Sequence, residues 1–182
     1  MNSLLKELSE EHRSILEKLE HLRSLTDTHE AVSKNKGALK ETLLELRRRL
    51  HLHHGKEEKI LFPALHRLPR IREGGPRCSL FMTHLMNDNI AQSFIESAPD
   101  WVVLPTDPPE MEEIRAENSP LMIPLKEHRG GDIAMQCMLH ELDQNPTDEG
   151  EFLFLLNRFS RMLRLHIEKE ETCLFLIYPG SS

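Results

Sequence analysis

Aromatic side chains are scarce in this chain, at 5% of 182 residues, and only one of them is tryptophan. Sheet faces lean on aromatic and β-branched residues, whereas 29% charged residues with widely spaced leucines suits amphipathic helices. No apolar run approaches the roughly 18 residues that a membrane-spanning helix needs. The start, Met1-Asn2-Ser3-Leu4-Leu5-Lys6, reaches a charge too early for a signal-peptide core, so a cytoplasmic protein is expected. Net charge is −7, and the basic excess that marks nucleic-acid or anionic-membrane binding is missing. The three cysteines, Cys78, Cys137 and Cys173, show no Cys-x-x-Cys spacing, which argues against a disulfide framework or a zinc knuckle. Neither a Ser-His-Asp arrangement nor a glycine-rich phosphate loop occurs.

What the chain does contain is a motif used twice. His53-x-x-x-Glu57-Glu58-x-x-Leu61-Phe62 aligns without a gap on His166-x-x-x-Glu170-Glu171-x-x-Leu174-Phe175. On a helix, positions i and i+4 lie on one face. Each copy therefore offers an imidazole and a carboxylate side by side, a pairing suited to a divalent transition metal.

Helical seams place these residues among leucines. A first helix, from Asn2 or Ser3 to about Leu25, runs through Leu5, Leu8, Ile15, Leu19 and Leu22, and His12 fills its one gap. The second, from after Gly37 to about Leu65, reads Leu43, Leu46, Leu50, His53, Glu57, Ile60, Ala64. Phase selects His53 and Glu57; His51, His54 and Glu58 fall beside or behind the seam. The third opens at Ser119 as N-cap with Pro120 at the first helical position, and reads Leu121, Leu125, His128, Asp132, Met135, Leu139, Leu142. Gly130 and Gly131 each cost a helix about 1 kcal/mol relative to alanine, which reads as room kept for a neighbouring backbone or a small bound molecule. The fourth, capped by Thr147 or Asp148, reads Phe152, Leu156, Phe159, Leu163, His166, Glu170, Cys173, Ile177. His21, His29 and His140 fall outside the seams and read as solvated.

Prolines and glycines break the pattern between about residues 67 and 118. Cys78 to Ile95 predicts one amphipathic helix there, and Trp101-Val102-Val103-Leu104 predicts a buried patch, as a cap over one end or a lid on the site. The architecture expected is all-α: an up-down-up-down four-helix bundle (about 2–66 and 119–178) with a long, partly helical insertion (about 67–118), in a single domain spanning 1–182.

A carboxylate in an apolar core costs several kcal/mol unless it is paired, against a domain stability of roughly 5–15 kcal/mol. The seams carry three, Glu57, Asp132 and Glu170, with no lysine or arginine among them. A divalent cation compensates better than histidine. The candidate ligands are His12, His53, Glu57, His128, Asp132, His166 and Glu170. They are too many for one tetrahedral zinc and suit two ions sharing bridging carboxylates. Four imidazoles disfavour calcium or magnesium.

These motifs resemble those of the hemerythrin-like (HHE cation-binding) family. Glu11-His12-Arg13 precedes His53-x-x-x-Glu57-Glu58-x-x-Leu61-Phe62-Pro63, and Glu127-His128-Arg129 precedes His166-x-x-x-Glu170-Glu171-x-x-Leu174-Phe175. The resemblance implies a non-haem di-iron centre in an up-down bundle, with oxygen binding, sensing or iron handling among the members' roles; the ligand expected here is dioxygen or nitric oxide, and zinc or manganese are the substitute ions. Carried over by position, His12, His53, Glu57, His128, His166 and Glu170 become iron ligands, and Glu57 and Glu170 can bridge. The third helix departs from oxygen carriers by offering Asp132 where they have a second histidine, and the fourth by ending in Glu170 rather than aspartate. More carboxylate favours oxygen activation over reversible carriage. His84 follows Pro76 as His128 follows Pro120, and reads as a decayed echo or a further ligand. A binding or sensing role is favoured over catalysis; the alternatives are an oxidase, peroxide-handling or iron-centre repair protein, and a structural metal-binding bundle.

Overall fold

In the computed structural model, residues 3–27, 31–73, 90–116 and 119–178 are described, and every regular element among them is helical. In chain order these are α1 (Ser3–Ser24), α2 (Ala31–Lys34), α3 (Lys36–Lys56), α4 (Phe62–His66), α5 (Pro69–Arg72), α6 (Ile90–Glu96), α7 (Met111–Ala116), α8 (Met122–Asp143) and α9 (Glu149–Lys169). The four long helices close a ring of neighbours, α1 on α3, α3 on α8, α8 on α9 and α9 on α1. Each turns its seam inward: Leu5, Leu8, Ile15, Leu19 and Leu22 of α1 are all buried, and so is His12 between them.

Both copies of the repeated motif leave α-geometry at the same place. Glu57–Leu61 and Glu170–Leu174 are π-helical turns, each beginning on the seam glutamate. A π turn inserts one extra residue into the winding, so the buried face advances by one position. Ile60 and Ala64, the expected seam residues, give way to Leu61 and Leu65: Ile60 is 50% exposed, while Leu61 and Leu65 are 0%. Helical phase alone could not register that slip.

Two apolar clusters form the core. One contains Ile15, Leu19, Leu46, Leu50, Ile133, Phe159, Leu163 and Ile167 among others. The second gathers Leu5, Leu8, Leu61, Phe62, Leu125, Cys173, Leu174 and Phe175, with Ile71 of α5 and Met111 and Ile114 of α7. Every seam histidine sits where its helix passes from one cluster to the other, so the polar residues form a layer between two apolar ones.

The stretch expected to cap the bundle is divided between two jobs. α6 packs along α8 and α9, and the fit depends on Gly130, because a Cβ there would lie 2.8 Å from Ala91 Cα. The room kept at Gly130 is thus for a neighbouring backbone. Trp101 is not buried as expected: it is 46% exposed, stacked on His140 at 4.4 Å, and Val103 is 74% exposed. Gln136 holds this passage to α8 by exchanging hydrogen bonds with the Val103 backbone. The expected helix over residues 78–95 is described only from Ile90; its first part, like His84 and His29, lies outside the described residues. α8 starts at Met122 rather than at Pro120, after a turn in which Ser119 Oγ accepts from Leu121 N. Asp148 caps α9 as expected, accepting from Glu151 N at 2.9 Å. Cys173 is disulfide-bonded, and Cys137 is free. No helix among the described residues is long and apolar enough to cross a membrane.

Candidate metal centre

Six of the seven expected ligand residues meet in the layer between the two apolar clusters. His12, His53, Glu57 and Glu170 form one group whose ligand atoms all lie within 4.8 Å of one another, and Glu57, His128, His166 and Glu170 form a second. Glu57 and Glu170 belong to both. Glu57 puts Oε1 3.3 Å from His53 Nε2 and Oε2 3.2 Å from His128 Nε2. Glu170 Oε2 lies 3.2 Å from His12 Nε2 and 3.4 Å from His166 Nε2. All six side chains are buried, Glu57 completely. Asp132 joins neither group. It is half-buried and lines a cavity of 760 Å³ between α3, α8 and the Pro105–Glu110 passage, where burial raises its carboxyl above the ordinary range.

Behind each inner histidine stands a second carboxylate that sequence phase had not selected. Glu11 of α1 takes His53 Nδ1 at 3.0 Å, and Glu58 after α3 takes His128 Nδ1 at 2.7 Å. Glu127 of α8 takes His166 Nδ1 at 3.0 Å, and Glu171 after α9 takes His12 Nδ1 at 3.0 Å. The four contacts run from each bundle helix to the next and close on themselves. This accounts for the doublets Glu11-His12, Glu57-Glu58, Glu127-His128 and Glu170-Glu171: one member points inward and its neighbour reaches across to orient the adjacent helix's histidine. A carboxylate only accepts, so each Nδ1 must carry the hydrogen. Each Nε2 is then left facing the interior as a potential donor to a metal.

The remaining motif positions also have matching jobs. Lys56 and Lys169, each preceding its seam glutamate, pair with Glu11 and Glu127 respectively. Phe62 lies over His128 at 5.6 Å and Phe175 over His12 at 5.5 Å, in stacked geometry. The π turns bring these rings into place, since they shift Phe62 and Phe175 onto the buried face.

Fit to a cation can be judged from the polar atoms that face inward. Nε2 of His12, His53, His54, His128 and His166, and both carboxylate oxygens of Glu57 and Glu170, are buried without a well-formed hydrogen bond among the described residues. Such atoms are costly unless something occupies the space between them. Charge gives the same answer. Carboxylates outnumber cations around the layer: Glu11, Glu57, Glu58, Glu127, Glu170 and Glu171 stand there with Lys56, which Glu7 shares, and Lys169. Divalent cations would offset that excess.

In the metal-free protein, protons take that role. Burial opposes charge on His53, yet Glu57 and Glu11 raise it to about 10. His128 is likewise opposed by burial and raised to about 10 by Glu57 and Glu58. His12 is also raised, against burial, by Glu170 and Glu171. Burial would raise Glu57, but His53 and His128 hold it well below the carboxylate range. His54 is the exception: burial and the neighbouring imidazoles keep it neutral. Its ring stacks on His128 with centroids 3.7 Å apart, and one of its nitrogens lies within 4.8 Å of those of His128 and His166. Seam phase passed over His54 because it lies one step from His53, beside the stripe. Two adjacent residues of one helix can nevertheless both reach a site that is broader than a stripe.

Among the described residues the helical fold and its buried histidine and glutamate layer are compatible with cation binding. Residues 3–76 match the family model described as Hemerythrin HHE cation binding domain, so the resemblance carried by the first motif copy is shown over that stretch. No curated protein and no solved structure matches the chain.

Proposed function

We propose that the chain is a single hemerythrin-like domain, an up-down-up-down bundle interrupted by an insertion, which holds two iron ions and binds or senses dioxygen or nitric oxide. The observation that carries this reading is the sharing of Glu57 and Glu170 between two four-residue groups. A single-ion site has no need of two carboxylates each flanked by histidines on two sides. The up-down order is supported by the second apolar cluster, which joins the beginnings of α1 and α8 to the segments that follow α3 and α9.

On this reading His12 and His53 would hold one ion and His128 and His166 the other, with Glu57 and Glu170 in reach of both. Ferrous ions held there would supply electrons to a bound diatomic molecule. The chain's own contribution is orientation and exclusion of water. Glu11, Glu58, Glu127 and Glu171 fix the imidazoles, and the apolar clusters above and below close the layer. Asp132 stands outside this set, on the wall of the cavity that reaches His54 and His128.

Anaerobic loading with ferrous iron should give two ions per chain by elemental analysis. Admission of air should then produce a charge-transfer absorption band that deoxygenation removes. Irreversible bleaching with one turnover would reject reversible binding, and sustained turnover of peroxide or ferrous iron would make the protein an enzyme instead.

A further inference from the structure

The two motif copies share six of ten residues, and at one of the differing positions both side chains are buried. His53, Lys56, Glu57, Glu58, Leu61 and Phe62 correspond to His166, Lys169, Glu170, Glu171, Leu174 and Phe175, whereas His54 corresponds to Ile167. Ile167 is 4% exposed and belongs to the first apolar cluster, where it needs no partner. His54 is 8% exposed, and its Nε2 is buried without a hydrogen-bond partner among the described residues. An imidazole in that position costs free energy unless its nitrogen is used. One of its nitrogens falls within reach of His128 and His166, and it is grouped neither with His12 and His53 nor with Glu57 and Glu170.

We propose that His54 is a third imidazole for the ion position formed by His128 and His166, making the two positions unequal, so that a divalent transition ion fills this one first. The inference rests on the two-ion reading above. Glu57 and Glu170 are common to both positions and therefore cancel in the comparison. What remains is three imidazoles against two, and imidazole suits zinc, iron and nickel, with Co2+ lying between iron and nickel in the affinity order. The asymmetry comes from a neighbour of the seam histidine on α3, and not from α8, where Asp132 stands apart.

A stacking role is the competing account, because the His54 ring lies parallel to His128, 8° between planes. His54→Phe separates the two, since it keeps a ring and removes the nitrogen. The probe is Co2+ alone, titrated anaerobically into the metal-free chain and followed by d–d absorption and calorimetry. Wild type should bind two ions in two resolved steps. In His54→Phe the first step should weaken at least ~10-fold, on the scale of losses seen when metal sites lose supporting groups, and the two steps should converge. His54→Ala provides the same comparison should the larger ring prevent folding, which circular dichroism will report. Two equal steps in wild type, or unchanged steps in a folded variant, overturn the proposal while leaving two ions bound. Uptake of fewer than two ions by wild type would overturn the two-ion reading itself.

Discussion

Glu58 Oε1 lies 2.7 Å from His128 Nδ1, and this contact joins α3 to α8 in the ring of four carboxylate–imidazole pairs around the centre. Glu58 is adjacent in sequence to Glu57, which meets the other nitrogen of the same imidazole. One pair of neighbouring residues thus grips a histidine from both sides. Removing the outer member should leave the inner ligands present but loosely aimed. Glu58→Gln is expected to weaken divalent-ion affinity by about 10–100-fold while the fold is retained. Calorimetric titration of the metal-free variant checks this, and affinity within a factor of two of wild type would show that Glu58 does not orient His128.

Glu57→Ala removes a carboxylate common to both groups. It should cost more than the loss of any single histidine, with stoichiometry falling from two ions to one or none by elemental analysis. His53 and His128 would lose the charge that raises them most directly, so their protons should be shed at lower pH. Nuclear magnetic resonance titration of the imidazole protons in the metal-free variant provides a readout independent of loading.

Metal affinity should rise with pH. His53 and His128, raised to about 10 in the metal-free protein, carry protons at neutral pH that an incoming ion must displace. Because these folded-state values lie above the ordinary 6.5, their stabilising contribution to the metal-free fold is complete below 6.5. It is lost as pH rises through about 10. Calorimetry in buffers of different ionisation enthalpy should therefore detect net proton release on metal uptake at pH 7. Proton uptake would be the wrong sign for this charge arrangement.

Adjacent glycines on α8 should respond differently to the same change. A Cβ on Gly130 would meet Ala91 Cα at 2.8 Å, a backbone atom that cannot rotate away, whereas on Gly131 the nearest atoms are flexible or ring carbons at 3.7 Å. Gly130→Ala is expected to destabilise the protein by about 1–3 kcal/mol through overpacking. Gly131→Ala should be neutral or stabilising by up to about 1 kcal/mol through helix propensity. Urea denaturation of the two variants compares them directly.

Periodicity determined much of this protein by itself. Alternating threes and fours predict four long amphipathic stretches, and α1, α3, α8 and α9 lie on them. They also place His12, His53, Glu57, His128, His166 and Glu170 among leucines, because a helix seam is a local property that each stretch carries on its own. Asp132 satisfies the same local rule, yet the structure leaves it on a cavity wall. Phase defines which face a residue shares, but not how deep the neighbouring helices leave it.

Tertiary structure decided everything that passes between helices. Glu11, Glu58, Glu127 and Glu171 lie one position from a seam residue, and their destination is a histidine on a different helix. The π turns brought Leu61, Phe62, Leu174 and Phe175 inward, displacing Ile60 from the expected seam while Cys173 stayed buried. His54 comes near the centre only because α8 and α9 bring His128 and His166 within reach of one of its nitrogens. A spacing rule describes one helix at a time. The ring of carboxylates belongs to four helices at once, and its partners are chosen by the distances across the bundle.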